Sequence, residues 1–433
     1  MSVLTITAIA LFILFLFFWM GLEIAFAMAA VGFLGYAAVV GVAPALKLTA
    51  MTLYSNFSSF NLLALVLFVL MGQIAANAGM SKRLYDSAYK FVGHIPGGLA
   101  LTTIVAAAIF KTMCGSSAAT AATFATFSIP EMDRHGYDKR ISTGTVATVG
   151  SLGSVIPPAV SLIVYGLITD TSIGRLFLAG IIPGILFCIS FVATVVGWVK
   201  LNPKIAPRGE RSHWGERIRS LYAICFPIVI FVLLLGGLTK GFFTPTEAGG
   251  VGAAVVLVVS FLSNNIDLKG IIASVKHALV VGCMILTLIM TATILSQFFA
   301  VTQVPYTISN WVGSLQIYPF MIIILLVLLF LFLGEFIEDM AVLILLPPIF
   351  LPTILKLGYD PVWFGIIICS AAMIGIVIPP MAINVFVVAG IAKVPLNTVY
   401  RGVYPYLLGM SIVLLLLIFF PQISLFLPNL FFK

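Results

Sequence analysis

Gly153-Ser154-Val155-Ile156-Pro157-Pro158 and Gly375-Ile376-Val377-Ile378-Pro379-Pro380 decide the fold of this chain, because each breaks an apolar segment and the two lie 222 positions apart. The register extends well beyond them. Pro130, Gly136-Tyr137-Asp138, Gly180 and Pro183 recur at the same offset as Pro352, Gly358-Tyr359-Asp360, Gly402 and Pro405. The chain carries two copies of one unit, and each copy interrupts a helix at the same place.

The 433 residues are 62% hydrophobic and 8% charged, with a mean hydropathy of +1.21. Soluble domains carry roughly a quarter charged residues, so the composition is that of a polytopic membrane protein. A net charge of +8 is no sign of nucleic-acid binding, because the basic residues fall in short gaps between apolar runs, as positive-inside topology requires. Cys114, Cys188, Cys225, Cys283 and Cys369 form no CxxC pair and lie in apolar stretches, which indicates neither a disulfide framework nor a zinc site. The run from Val3 to about Val40 has no basic start and no small-residue cleavage site, and reads as two helices retained in the mature chain.

A helix needs about 20 apolar residues to cross a bilayer. On that count ten spans are expected: two in Val3 to Val40, then near 60–80, 141–171, 175–199, 220–240, 246–263, 278–300, 361–391 and 400–420. Two further segments, 97–129 and 320–351, are pairs of apolar arms about a polar tip, Gly115-Ser116-Ser117 in one and Gly334 to Asp339 in the other. A second arm such as Ser116 to Ile129 rises only roughly 21 Å, too short to cross, so both segments are expected to be re-entrant helical hairpins. The expected organisation is N-terminal scaffold helices in 1–59, a first repeat in 60–200 with its broken helix at 141–171, and a basic cytoplasmic linker in 201–219. Scaffold helices in 220–277 and a second repeat in 278–433, with its broken helix at 361–391, complete the chain.

A hairpin adds an even number of crossings, and five spans separate the two repeat starts, so the repeats are inverted. Charge supports this. With the 81–95 loop inside, sixteen Lys and Arg fall on the cytoplasmic side and five outside, Lys111 left uncounted in a hairpin, and both termini lie outside.

Proline cannot donate to the carbonyl four residues back. Within continuous helices, Pro157 and Pro158 free the carbonyls of Gly153 and Ser154, and Pro379 and Pro380 those of Gly375 and Ile376. Matched breaks of this kind mark the binding site of a secondary transporter, where freed carbonyls take a sodium ion or proton and half-helix N-termini face an anionic substrate. The first tip offers backbone amides and the Ser116 hydroxyl, with Ser161 just past the first kink. At the second tip Glu335, Glu338 and Asp339 must face water, cations or protein, since an acid near the bilayer centre costs about 2.5 to 3.5 kcal/mol. Lys111 nears the first tip, where it either meets an anionic substrate or snorkels toward an interface. Thr244-Pro245-Thr246-Glu247 reads as a capping box. His94, His135, His213 and His277 fall in loops or at span ends, so a serine nucleophile at the GxSG-like tip has no base and an enzyme is not indicated. HExxH and Walker A motifs are also missing from the sequence, leaving an ion gradient as the simplest drive.

Gly115-Ser116-Ser117-Ala118-Ala119-Thr120, Gly153 to Pro158, Phe243-Thr244-Pro245-Thr246-Glu247-Ala248 and Gly375 to Pro380 occur together and in order. With them the chain resembles, over essentially its full length, the large membrane subunit of tripartite ATP-independent periplasmic (TRAP) transporters. The resemblance implies an all-α, elevator-type carrier of the ion-transporter-superfamily kind in the bacterial inner membrane, importing an organic acid with sodium as coupling ion and no other cofactor. It implies two partners besides membrane lipid: a small four-helix membrane subunit and a periplasmic substrate-binding protein. Sodium ligands carry over to Gly115, Ser116, Gly153, Ile156 and Pro158 in the first repeat, and to Gly334, Gly375, Ile378 and Met381 in the second. Ser116 and Ser161 carry over as substrate-facing. Glu338 stands where the family usually has Asp in Gly-x-Phe-x-Asp, followed here by Asp339, which leaves open which acid serves the cation. A C4-dicarboxylate, a sialic acid and another sugar acid are all open as substrates, and a one-component sodium-coupled anion carrier is the alternative.

Overall fold

The computed structural model describes residues 3–432 other than 210, 315, 316, 336 and 381. Among these residues the chain is helical, apart from turns and an isolated antiparallel bridge between Pro96 and Arg208. It opens with α1 (Val3–Trp19), α2 (Ile24–Val40), α3 (Val42–Phe57) and α4 (Leu63–Asn77). Then come α5 (Met80–Val92), α6 (Gly98–Lys111), α7 (Ser117–Arg134), α8 (Lys139–Ser151), α9 (Val160–Thr169) and α10 (Ile173–Leu201). The middle holds α11 (Trp214–Thr239), α12 (Pro245–Leu262), α13 (Leu268–Val301) and α14 (Val304–Ser314). Last are α15 (Pro319–Gly334), α16 (Asp339–Leu345), α17 (Pro347–Lys356), α18 (Pro361–Gly375), α19 (Ile383–Ala392), α20 (Leu396–Phe419) and α21 (Gln422–Phe431).

The duplication read from the sequence is a duplication of structure. Shifted by 222 positions, α7 coincides with α16 and α17 together, α8 starts where α18 starts, and α9 and α10 start one residue ahead of α19 and α20. Local chemistry repeats with them. Asp138 caps α8 by accepting from the Arg140 amide at 2.8 Å, and Asp360 caps α18 by accepting from the Val362 amide at 2.7 Å. Just before each cap, Gly136 (φ 74°) and Gly358 (φ 81°) take the left-handed turn that ends the preceding helix. Both Pro-Pro bonds, 157–158 and 379–380, are cis.

The copies exchange partners. α8 lies against α20 while α18 lies against α10, and α7 packs on α19 while α16 packs on α9. Small residues let the backbones meet: a methyl built on Gly402 would run into the Arg140 carbonyl and lie 2.9 Å from the Gly144 Cα. A second layer is built from α2, α3, α4, α12 and α13, in which α4 packs on α12 and α13, and α13 on α2 and α3. Gly32 of α2 rests on the backbone of Leu295 in α13 in the same close manner. The Thr244 capping box that starts α12 is formed as read, with Thr244 Oγ1 accepting from the Glu247 amide and Glu247 accepting from the Thr244 amide.

Several expectations change. Among the described residues six helices are long and apolar enough to cross a membrane (α4 with the turn before it, α10, α11, α12, α13 and α20), or up to seven if α16 and α17, bent by 52°, make one span. Of the other expected spans, α1 and α2 are each 17 residues long, and 141–171 and 361–391 are split into α8 with α9 and α18 with α19. The span expected at 278–300 starts ten residues earlier, at Leu268, so the boundary drawn after 277 falls inside α13. α7 has 18 residues rather than 14, because Pro130 is accommodated within it. Most consequential, the paired prolines do not sit inside continuous helices. Helix is lost from Val155 to Ala159 and again from Ile376 to Pro380, so the prolines lie in turns and bends between helices and the four-residue rule for freed carbonyls does not apply to them.

Candidate functional site

Both gaps and both hairpin tips meet at one place. The first tip is the turn from Thr112 to Ser116, whose Ser116 caps α7 by accepting from the Ala119 amide at 3.4 Å. Its backbone rests on the first gap: a methyl built on Gly115 would lie 3.0 Å from the Pro158 carbonyl oxygen and 3.1 Å from the Val160 amide. Ser117 and Ser154 hydroxyls approach to 3.5 Å across the same junction. In the second repeat, Gly334 ends α15 and its carbonyl faces Gly375, 3.3 Å from where a side chain there would begin. Each tip thus pairs with the broken helix of its own repeat, as Gly115 with Pro158 and Gly334 with Gly375.

The carbonyl arrangement differs between repeats. Among the described residues no backbone amide across the break donates to the carbonyls of Gly153 or Ser154, which stay available as expected. Gly375 accepts from the Ile378 amide at 3.3 Å and Ile376 from the Asn384 amide at 3.4 Å, so these two are engaged, contrary to expectation. The second gap thus closes a backbone turn on itself, which the first gap does not. Pro380, also in this gap, accepts from Tyr400 at 3.1 Å.

A cavity of about 400 Å³ lies over the junction. Gly115, Ser116, Ser117, Val160, Glu338, Asp339, Ile376 and Asn384 line it from the repeats, and Val69 of α4 with His277, Val281, Met284 and Ile285 of α13 close it from the other layer. The N-terminal ends of α7, α9 and α19 converge on it. Each such end carries roughly half a positive charge, so three together favour an anion.

Of the residues singled out from sequence, Gly115, Ser116 and Glu338 line the cavity, while Gly153, Ile156, Pro158, Gly334, Gly375 and Ile378 stand behind it at the junctions. Met381 lies outside the described residues. Ser161 is buried in α9, and its hydroxyl has no hydrogen-bond partner among the described residues. Glu335 does not line the cavity, whereas Asp339 does.

Three findings were not legible beforehand. His277 is not at a span end but about two and a half turns into α13, on the cavity wall. Asn384 also lines the cavity, and the signal for it is a polar residue in an otherwise apolar run. Lys111 neither snorkels nor faces the cavity. It is fully buried, donates to the Ser116 carbonyl at 2.8 Å and lies over Gly153, where a built methyl would run into Nζ and sit 3.1 Å from Cε. Of the residues expected to bind sodium in the first repeat, Ser116 and Gly153 are in contact with the Lys111 side chain, whereas no side chain intervenes between Gly375 and Gly334.

The model of the family described as "Tripartite ATP-independent periplasmic transporter, DctM component" matches residues 11–423. Over 88% of its length the chain is 33% identical to the C4-dicarboxylate TRAP transporter large permease protein DctM of Pseudomonas aeruginosa, covering 89% of that protein. It is 34% identical to the sialic acid TRAP transporter large permease protein SiaM of Vibrio cholerae, with 89% of this chain and 90% of that one aligned. The 2,3-diketo-L-gulonate TRAP transporter large permease protein YiaN of Escherichia coli is 30% identical over 87% of this chain and 88% of its own. Among solved structures, the Alcanivorax borkumensis YdaH transporter superposes with a TM-score of 0.64 at 17% identity, covering 88% of this chain and 89% of that one. Neisseria gonorrhoeae MtrF does so with 0.58 at 14%, covering 89% and 85%. At those identities the likeness is one of fold.

Proposed function

The chain belongs to the DctM-component family of tripartite ATP-independent periplasmic transporters, and from that premise we propose that it carries an organic acid across the bacterial inner membrane as a sodium-driven secondary transporter. The observation that carries this reading is the convergence of three helix N-termini from both repeats on one cavity that also presents Glu338 and Asp339. An organic anion is drawn by the helix ends and repelled by the carboxylates. Cation binding at the second tip removes that repulsion, and this is how the two cargoes become coupled. Gly334, Gly375 and Ile378, with Glu338 or Asp339, are the residues that would hold the sodium; Met381 is part of the same set by family resemblance.

Ser116 and Ser161 face the substrate in this reading, Ser116 from the cavity wall and Ser161 once its buried hydroxyl is offered a partner. The relatives are named for a C4-dicarboxylate, a sialic acid and a diketogulonate, all organic acids, and the substrate is of that class. The repeats, inverted and with both hairpins re-entrant, move as an elevator against the layer of α2, α3, α4, α12 and α13, with both termini periplasmic. The permease works with a small four-helix membrane subunit and a periplasmic binding protein, as the three-part name of the family indicates. Uptake of labelled C4-dicarboxylate and sialic acid by proteoliposomes holding this chain and its small subunit tests the reading. Accumulation is expected only with an inward sodium gradient and loaded binding protein. Equal uptake in choline would refute sodium drive, and uptake without binding protein would favour a one-component carrier.

A further inference from the structure

The repeats match in sequence register and in turns, yet they differ at one position of their tips. At position 111 the first repeat has lysine; 222 residues on, the second has Leu333. Lys111 is fully buried, and among the described residues no carboxylate lies within ion-pair distance of it. What meets it is backbone. Nζ donates to the Ser116 carbonyl at 2.8 Å, and the side chain crosses the face of Gly153, the residue that opens the first break. Over Gly375 the nearest atoms to a built methyl are backbone atoms of Gly334, with no side chain between.

An ammonium group brings one positive charge and up to three hydrogen-bond donors to a set of oxygens. Held by the Ser116 carbonyl over Gly153, with the Asp339 carboxyl near it but outside ion-pair contact, it answers the demand that an alkali cation answers at a broken helix. We propose that Lys111 is a tethered cation: its ammonium fills the place at the first break that the second repeat leaves to a sodium ion, so the chain couples transport to one sodium fewer than its symmetric plan provides. The claim rests on the sodium-driven reading above for its consequence in transport, and on the geometry alone for the occupancy of the site. It also accounts for a buried lysine at the edge of an apolar hairpin, where an uncompensated charge is costly.

Lys111→Ala removes the ammonium and opens the space over Gly153; Lys111→Met keeps the length and removes the charge. Sodium titrations of uptake by the assembled transporter, and of the melting temperature of the purified permease, read both. For Lys111→Ala we expect uptake lost at low sodium and recovered at high sodium, with a Hill slope about one greater than wild type and an added sodium-dependent rise in melting temperature. Lys111→Met is expected to remain folded and inactive at every sodium concentration. A sodium-driven wild type with an unchanged slope and melting response in Lys111→Ala overturns the proposal and leaves the sodium-driven reading intact. A sodium-independent wild type beside a sodium-responsive Lys111→Ala does the reverse. Should Lys111→Ala not fold, full transport by Lys111→Met overturns the tethered cation by itself.

Discussion

Asn384, the second residue of α19, donates its side-chain amide to the carbonyl of Ala147 in α8 across 3.1 Å of buried space. Its backbone amide bonds to Ile376 on the near side of the second gap, and its side chain lines the cavity. One residue therefore joins the second break, the first broken helix and the cavity wall.

Asn384→Leu removes the cross-repeat bond. Such bonds within membranes contribute on average about 0.6 kcal/mol and at most about 1.7, so the purified variant should melt only slightly earlier. Uptake should fall much further, because the cavity loses its amide. Thermal unfolding in detergent beside uptake in proteoliposomes checks this, and a variant that transports normally would reduce Asn384 to a structural tie.

Gly375→Val is expected to abolish sodium-dependent uptake while leaving membrane insertion intact, since its first carbon already lies 3.3 Å from the Gly334 carbonyl. Gly153→Val should fail equally, for a different reason: its side chain must displace Lys111. Quantifying protein in isolated membranes separates lost transport from lost insertion. Normal uptake with unchanged sodium dependence would remove the junctions from the ion pathway.

Glu338→Gln should raise the sodium concentration needed for half-maximal uptake, and Glu335→Gln should do so less, because only Glu338 lines the cavity. Equal effects would mark the tip as merely solvated.

Outside the membrane-spanning segments, the Arg140 guanidinium hydrogen-bonded to Asp138 holds its carboxyl below the usual carboxylate range. A depressed folded value means that its stabilisation of the folded state is fully present above the unfolded value, about 4, and is lost as pH falls through the folded one. Asp138→Ala should lower stability by about 1 kcal/mol through the lost cap, whereas Asp138→Asn should keep the cap and lose this acid dependence. Melting curves between neutral pH and pH 3 distinguish the two variants, and an Asp138→Asn protein as unstable as Asp138→Ala would reject capping as the role of this residue.

The duplication, its register of 222 residues, the paired breaks and the Thr244 capping box were all legible in the sequence. Each of these is set by residues within a few positions of one another, or by a pattern of repetition, and neither depends on knowing what packs against it. The state of the carbonyls was not legible, because identical Val-Ile-Pro-Pro stretches leave Gly153 open and Gly375 engaged, according to the path the backbone takes through each gap. Nor was the placing of Lys111 over Gly153, of Asn384 against Ala147, or of His277 on the cavity wall. Those contacts join segments tens to hundreds of residues apart, and a buried charge or amide takes its role from the oxygens that the folded chain brings to it.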